Sequence, residues 1–252
     1  MKILLTNDDG YFAPGIQAMA RVLAPEHELV IIAPEEEHSG QSHAITIQRS
    51  LIVEPVEIEG VEAEAYSVSG TPVDCVRAGL DKIVPWKPDV IFSGCNAGYN
   101  AGMDIIYSGT VSAAMEGVLL GIPSVAVSAR WVKGDCRYDT AASVAKKIFD
   151  KVQEPFLSRA KPAVLNINVP YLAEEDIKGI QVAEIGENAY DYYFEETIDG
   201  KRSLSLKGRS VMEHKRGTDR YLLERDYVTV TPVLYGPADP EEMNRLKSWL
   251  DD

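Results

Sequence analysis

The stretch ILLTNDDGYFAPG, residues 3–15, joins a short apolar run to two adjacent carboxylates. The apolar run predicts a buried strand, and the residues from Gly15 onward have the pattern of a helix. Like charges as close as those of Asp8 and Asp9 raise each other's cost of ionisation unless a cation or hydrogen-bond donors offset it. The stretch therefore predicts a turn between a strand and a helix, with a positively charged partner beside it.

The alternation of strand and helix continues to about Pro170. Strands are predicted at residues 3–5, 29–33, 90–93, 124–128 and 164–169. Helices are predicted at residues 15–23, 72–82, 108–120 and 140–152. The strands are apolar at nearly every position, as expected when helices cover both faces of a parallel sheet. We predict an α/β fold with a doubly wound, mostly parallel sheet.

Two regions depart from this alternation. Residues 44–68 alternate as small antiparallel strands do, and we expect them at the edge of the sheet. After Tyr171, the pair Asp199-Gly200 lies between two alternating runs and predicts a β-hairpin. DYVTVTPVLY, residues 226–235, predicts a further strand. Asp239 is the predicted N-cap of a short terminal helix that ends near Trp249.

We divide the chain into a core, residues 1–175, and a β-rich extension with a C-terminal helix, residues 176–252. The extension carries an aromatic cluster beside its hairpin, and such clusters are typical of interfaces. We therefore expect a homodimer or homotetramer with the hairpin at its interface. The alternative is that these rings complete the subunit's own core. The cluster consists of Tyr190, Tyr192, Tyr193 and Phe194.

Composition excludes several classes of protein. The 39 acidic and 25 basic residues give a formal net charge of −14, which disfavours a nucleic-acid polymer as partner. The first apolar run is too short for a signal peptide or a membrane span, so we expect a cytoplasmic protein without membrane attachment. Cys75, Cys95 and Cys136 lack a CxxC spacing and are expected to be buried thiols.

Three loops of the predicted sheet carry small oxygen-bearing side chains beside glycine. The carboxyl ends of parallel strands meet at one edge of a sheet, where ligands collect. The residues are Asn7, Asp8, Asp9 and Gly10 after the first strand, His38, Ser39, Gly40 and Ser42 after the second, and Asn96, Gly98 and Asn100 after the strand VIFSG.

Within this set, Asp8, Asp9, Ser39 and Asn96 offer two carboxylates, a hydroxyl and a carboxamide. Such hard oxygen ligands favour Mg²⁺, Mn²⁺ or Ca²⁺ over zinc. Each motif alone has a simpler interpretation, because an Asp-Asp-Gly sequence forms an Asx turn and Ser and Asn are common in turns. Their coincidence at three strand ends favours a metal site.

The segment YSGTVSAAMEG, residues 107–117, predicts an anion site at the start of a helix. Free backbone N–H groups and the positive end of the helix dipole attract phosphate there. The simpler interpretation is an ordinary N-cap. The sequence contains neither a Walker A loop nor a well-spaced dinucleotide fingerprint. The candidate phosphate-binding residues are Asn7, Gly40, Asn96, Ser108, Gly109 and Thr110.

Four histidines are candidate acid or base groups. His38 and His43 flank Ser39 closely enough to reach a bound phosphate, although loop histidines are often surface groups. His27 lies in a charged turn and is expected to be solvated. His214, in EHKRGTD, is expected in an exposed basic patch. The sequence has no G-x-S-x-G elbow and no recognisable Ser/His/Asp order.

Six blocks of sequence, in this order, resemble the SurE survival-protein family of metal-dependent 5'-nucleotidases. They are NDDG at 7–10, SG-x-S at 39–42, SG-x-N-x-G-x-N at 93–100, YSGTV-x-AAMEG at 107–117, LNINVP at 165–170, and TD at 218–219 followed by DYVTVTP at 226–232. Residues 190–214 match no family pattern that we can align, and Cys95 stands where the family more often has an aliphatic residue.

The resemblance implies a Rossmann-like core, a dimer or tetramer, and removal of phosphate from nucleoside monophosphates. It also implies one divalent metal per subunit, with Mg²⁺ or Mn²⁺ expected at Asp8, Asp9, Ser39 and Asn96. Activity on 3'-nucleotides or short polyphosphate is a further implication.

Hydrolysis of a phosphate monoester requires stabilisation of negative charge above all. We expect the cation and the amides of residues 108–110 to bind the phosphate oxygens. Asp8 and Asp9 are the candidate catalytic residues, Asp8 as nucleophile or as the base that orients a water, Asp9 mainly as a metal ligand. A metal-bound water or His43 would protonate the leaving oxygen.

Two alternatives remain at this point. An aspartyl-phosphate phosphatase spaces its aspartates as D-x-D, which adjacent Asp8 and Asp9 do not match. A non-catalytic, metal-dependent nucleotide sensor would use the same edge of the sheet and bind nucleotide without turnover.

Overall fold

A computed structural model describes residues 1–187, 190–208, 213–235, 241 and 243. Nine of its strands are β1 (Lys2–Thr6), β2 (Glu28–Pro34), β3 (Val53–Pro55), β4 (Glu64–Val68), β5 (Val90–Ala97), β6 (Ser124–Ala129), β7 (Val164–Val169), β8 (Ile180–Val182) and β11 (Val228–Val233). They form one sheet in the order β3-β4-β2-β1-β5-β6-β7-β11-β8. The six strands from β4 to β7 are parallel. The predicted Rossmann-like α/β fold is confirmed.

Helices cover both faces of this sheet. They are α1 (Pro14–Leu23), α2 (Pro72–Ala78), α3 (Gly109–Leu119), α4 (Tyr138–Leu157) and α5 (Asp219–Leu223). Successive residues of β1 point to opposite faces, so Ile3 and Leu5 join the core under α1 and α4, whereas Leu4 joins the core under α2. The continuous apolar runs of the sequence follow from this double coverage.

Three predicted elements differ in detail. The helix predicted over 72–82 ends at Ala78 and continues as one π-helical turn, Gly79–Ile83, which the bond from Val84 N–H to the Gly79 carbonyl closes at 2.9 Å. The helix predicted over 140–152 is longer at both ends. Of the predicted edge strands, β3 is antiparallel to β4, but β4 itself pairs parallel with β2.

The C-terminal part contributes to the main sheet and also forms a separate hairpin. β11 pairs antiparallel with β7 and parallel with β8. The predicted hairpin is present as β9 (Tyr190–Ile198) and β10 (Lys201–Gly208), joined at Asp199 and Gly200, whose φ angles are 50° and 74°. Positive φ at both central residues is the geometry that Asp-Gly turns favour. The predicted helix from Asp239 to Trp249 lies, apart from residues 241 and 243, outside the described residues.

The strand order reverses between β1 and β5, because the chain leaves β1 toward β2 and β4 and returns to β5 on the other side. In open α/β sheets, ligands bind at the carboxyl ends of the strands at such a reversal.

All three cysteines are free and buried, as predicted. Among the described residues, no helix is both long and apolar enough to cross a membrane.

Candidate metal and phosphate site

Asp8 lies directly after β1 and is 3% exposed. The Thr110 hydroxyl donates a hydrogen bond of 2.5 Å to its carboxylate. A Cβ atom on Gly109 would lie 2.8 Å from the Cβ of Asp8, so only glycine allows the first turn of α3 to pack this closely against the carboxylate. The structure thus brings two of the predicted loops into direct contact.

Asp9 connects the first loop to the end of β5. Its carboxylate accepts a hydrogen bond of 3.2 Å from the backbone N–H of Ala97. The neighbouring Asn96 donates its side-chain amide to the Gly98 carbonyl at 2.9 Å, and this bond orients the carboxamide on the same loop. Asn96 therefore lies beside the Asp9 carboxylate, at the strand end where it was predicted.

The loop after β2 docks on the same edge. The backbone N–H of His38 donates to the Asp8 carbonyl at 2.8 Å, and that of Ser42 donates to the Tyr107 carbonyl at 3.1 Å. Ser39 is exposed and donates its hydroxyl to Glu37 at 2.6 Å. Gly40, at a φ of 71°, is also exposed. The three predicted loops therefore meet, with Ser39 hydrogen-bonded to a carboxylate that the sequence analysis did not single out.

The ionised forms of Asp8 and Asp9 are disfavoured in the metal-free protein. Burial raises the pKa of Asp8, against the lowering effect of its hydrogen bonds with Thr110. Burial and then the charge of Asp8 raise the pKa of Asp9 to about 7. Glu37 raises the pKa of both aspartates further. A cation that binds these carboxyl groups would displace their protons, so its binding would depend on pH.

The donor set fits a hard divalent cation. In the part of the chain that the structure describes, no three His, Cys, Asp or Glu side chains are arranged to hold a metal. A metal bound by Asp8 and Asp9 would therefore take its other ligands from neutral oxygen atoms. The Oδ1 atom of Asn7 is buried without a hydrogen-bond partner among the described residues, while its Nδ2 donates to the Gly10 carbonyl at 2.8 Å. Two carboxylates completed by neutral oxygens match the preference of Mg²⁺ or Mn²⁺.

The start of α3 combines an N-cap with an anion-binding geometry. Ser108 is the N-cap, and its hydroxyl accepts the backbone N–H of Val111 at 3.1 Å. The backbone N–H of Thr110 and its hydroxyl both stabilise the Asp8 carboxylate. The positive end of this helix is therefore already in contact with one anionic group, which the sequence pattern alone did not reveal.

A buried polar network holds the loop that follows Asn96. The backbone N–H of Asn100 donates to Asn168 at 2.9 Å, and its carbonyl accepts from Asn166 and Asn168 at 2.8 and 3.0 Å. Its side-chain amide donates to Ser128 at 2.9 Å and to Thr110 at 3.4 Å. The only sequence signal for this network is a pair of asparagines within the strand LNINVP.

The histidines differ from their predicted environments. His27 is half-buried rather than solvated, and burial lowers its pKa. The prediction that His214 lies in an exposed basic patch is wrong, because its side chain is only 10% exposed and its ring lies 3.2 Å from the Glu224 carboxylate. His38 is buried and contacts Gln41 at 2.9 Å. His43 contacts the buried Glu116 at 2.8 Å, so its Nε2 is directed to α3.

The chain is similar to known proteins over nearly its whole length. A family model described as survival protein SurE matches residues 3–192. The chain belongs to the SurE survival-protein family. It is 43% identical to the 5'-nucleotidase SurE of Clostridium tetani over 251 residues, which cover 99% of this chain and 100% of that one. It is 44% identical to a 5'-nucleotidase SurE of Clostridium botulinum over 238 residues, 93% of each chain.

A solved structure of the SurE family has the same fold. The crystal structure of the SurE protein from Aquifex aeolicus covers 100% of both chains with a TM-score of 0.85 at 37% identity. The similarity therefore includes the described strands β9, β10 and β11, although residues 190–214 matched no family pattern by sequence.

Proposed function

We propose that this protein is a metal-dependent phosphatase that hydrolyses nucleoside 5'-monophosphates to nucleoside and phosphate. The observation that carries the proposal is the pair of buried Asp8 and partly buried Asp9, with raised pKa values, at the strand-order reversal, where Asp8 lies against the start of α3. The SurE relatives from Clostridium carry the name 5'-nucleotidase, which agrees with this chemistry. We extend the proposal to 3'-nucleotides and short polyphosphate as further substrates.

The proposed metal ligands are Asp8, Asp9, Ser39 and Asn96, with Mg²⁺ or Mn²⁺ as the ion. When bound, the cation supplies positive charge to the phosphoryl group, whose negative charge is spread over its equatorial oxygens. Ser39 would exchange its hydrogen bond with Glu37 for the ion.

Asp8 is the proposed catalytic carboxylate, as nucleophile or as the base that orients a water. Thr110 positions it, because a hydroxyl donor at 2.5 Å fixes one carboxylate oxygen and leaves the other for the reacting phosphate or water. Asp9 serves mainly as a ligand, held by the Ala97 N–H. The proposed phosphate contacts are Asn7, Gly40, Asn96, Ser108, Gly109 and Thr110.

We also propose a homo-oligomer, assembled through the hairpin of β9 and β10, in a cytoplasmic protein. Tyr193, Phe194, Leu204 and Leu206 are each at least half exposed on this hairpin, outside the hydrophobic cores of the described residues. An isolated two-stranded hairpin is marginally stable in water, and exposed apolar side chains of this kind mark interaction surfaces, so a partner subunit would cover them. Residues 1–175 would then form the catalytic core and residues 176–252 the assembly region.

Phosphate release from adenosine 5'-monophosphate tests the proposal. EDTA should abolish the release, and Mg²⁺ or Mn²⁺ should restore it. A protein that binds the nucleotide without releasing phosphate under either metal would be a sensor and not an enzyme. Restoration by zinc alone would contradict the hard-oxygen ligand set.

A further inference from the structure

A cavity of about 270 Å³ opens next to the loop that carries Asn96. Three segments form it: the loop after β5, the loop after β6, and α5 with the residues before it. Its polar and aromatic walls include Tyr99, Arg130, Trp131, His214, Arg220 and Glu224. Drug-sized ligands occupy cavities of about 300–1,000 Å³, so this one suits a smaller group of the size of a ring system.

The cavity is within reach of a ligand bound at the metal site. Asn96 and Tyr99 are three residues apart, so their Cα atoms are at most about 11 Å apart. The Gly98 carbonyl accepts the Asn96 side chain at 2.9 Å, and the Gly98 N–H donates to the Ala129 carbonyl at 2.8 Å. One short loop therefore forms both the edge of the metal site and a wall of the cavity.

Three residues that line the cavity each have a buried polar atom without a hydrogen-bond partner among the described residues. These atoms are Tyr99 Oη, His214 Nδ1 and Arg220 Nε. About nine in ten buried polar groups in proteins have a partner, so three exceptions around one cavity require an explanation. These atoms have almost no surface exposed to the open cavity, so a polar ligand reaches them only after a shift of the side chains in the cavity wall.

The charges that line the cavity are mixed, with Arg130 and Glu224 both in its wall, so they do not select a second phosphate. Arg220 is already bonded to the Asp104 carboxylate and to the Ala101 carbonyl, and His214 lies against Glu224. The Glu224 carboxylate itself lines the cavity and would repel a dianion. Trp131, 57% exposed, offers the face of an indole ring, on which nucleobases stack.

We propose that this cavity is the nucleoside subsite, in which the base of the substrate stacks on Trp131 and its polar edge hydrogen-bonds with Tyr99 and His214. The proposal rests on the proposed nucleotidase function, because the phosphate at Asp8 and Asp9 sets the position of the base. Trp131 and Tyr99 are then specificity-determining residues, and the leaving nucleoside is recognised apart from the metal.

Two substrates separate recognition of the base from recognition of the phosphate. Adenosine 5'-monophosphate carries a base, and ribose 5-phosphate has the same phosphate on a similar sugar without one. Loss of base stacking should lower the ratio of kcat/KM for the first substrate to kcat/KM for the second by about 5- to 100-fold in Trp131→Ala. Trp131→Phe keeps an aromatic face and should restore most of the ratio. Tyr99→Phe removes one hydroxyl and should lower it by about 2- to 10-fold.

Tyr235→Ala is the matched control, because Tyr235 is an exposed aromatic residue that does not line the cavity. This variant should leave the ratio unchanged. Calorimetric titration with adenosine gives a second readout that needs no turnover, and Trp131→Ala should weaken adenosine binding by a similar factor.

Two results would overturn the subsite while leaving the phosphatase intact. In one, Trp131→Ala changes the rates on both substrates equally and leaves adenosine binding unchanged. In the other, it lowers hydrolysis of inorganic triphosphate instead, which would make the cavity an anion site. If the wild-type protein binds adenosine through Trp131 but releases no phosphate, the subsite proposal is supported and the proposed function is refuted.

Discussion

Replacing Asp9 with asparagine should stabilise the metal-free protein. Burial and the charge of Asp8 raise the pKa of Asp9 from 3.8 to about 7. At 1.36 kcal/mol for each pKa unit, ionised Asp9 costs the folded protein about 4 kcal/mol at neutral pH. Asp9 is not fully buried, and solvent screens part of this cost, so we expect a gain of about 2 kcal/mol. The asparagine keeps an oxygen that can accept the Ala97 N–H.

The gain should depend on pH with a defined sign. Below about pH 4 the Asp9 carboxyl is protonated in both the folded and the unfolded chain, so the substitution gains nothing through its charge. Between about pH 4 and 7 only the unfolded chain loses the proton, and the folded wild type is progressively destabilised. Above about pH 7 both states are ionised, and the difference is constant.

Thermal unfolding in EDTA, followed from pH 4 to 8.5, measures this difference. For a chain of this length, about 2 kcal/mol corresponds to a rise in Tm of about 4–8 °C. Mn²⁺ should raise the Tm of the wild type more than that of Asp9→Asn, because a ligand that binds only the folded state stabilises it in proportion to its affinity. Glu62→Gln removes the same charge from an exposed side chain and serves as control. A Tm difference that does not vary with pH, or a less stable Asp9→Asn protein at pH 8 in EDTA, would refute the reasoning.

Three further predictions concern other parts of the molecule. Thr110→Val should lower kcat about tenfold or more, because it removes the donor that positions Asp8, and should also raise KM, because Thr110 is a proposed phosphate contact; steady-state kinetics showing only a raised KM would contradict the positioning role. Asn168→Ala should reduce the free energy of unfolding by about 2–3 kcal/mol, since it leaves the buried Asn100 N–H unpaired and removes one of the two donors to the Asn100 carbonyl; urea denaturation that shows no loss would be the contrary result. Light scattering should find an oligomer at micromolar concentration, and Tyr193→Ser with Leu206→Ser should dissociate it; a monomeric wild type would refute the interface.

The sequence predicts the local features of the fold well. The apolar runs and the glycines around Asp8 and Asp9 are short-range signals, and the strand, turn and helix that they predict are present. The edge strand β4 was harder to place. Its alternation is compatible with either direction of pairing, and only its neighbour β2, more than thirty residues earlier, decides that the pair is parallel.

The partners of individual side chains could not be predicted, because they depend on contacts between distant residues. Thr110 was expected to bind a phosphate, but its hydroxyl contacts Asp8, 102 residues away in the chain. Glu37 stands in the run EEE, which is typical of a solvated loop, yet it bonds Ser39 and acts on both aspartates. The environment of His214 also depends on a distant contact, since Glu224, the residue after α5, lies 3.2 Å from its ring.

Turnover of adenosine 5'-monophosphate against Mn²⁺ concentration, measured for the wild type, Asp8→Asn and Asp9→Asn, tests the central claim most directly. Calorimetry for the ion accompanies the kinetics. We predict that Asp8→Asn keeps measurable Mn²⁺ affinity with little turnover, because the carboxamide retains an oxygen ligand and loses basicity. Asp9→Asn should bind Mn²⁺ more weakly and recover some activity at high concentration. Wild-type rates in both variants would contradict the account, and Asp8-Asp9-Gly10 would then be only a turn.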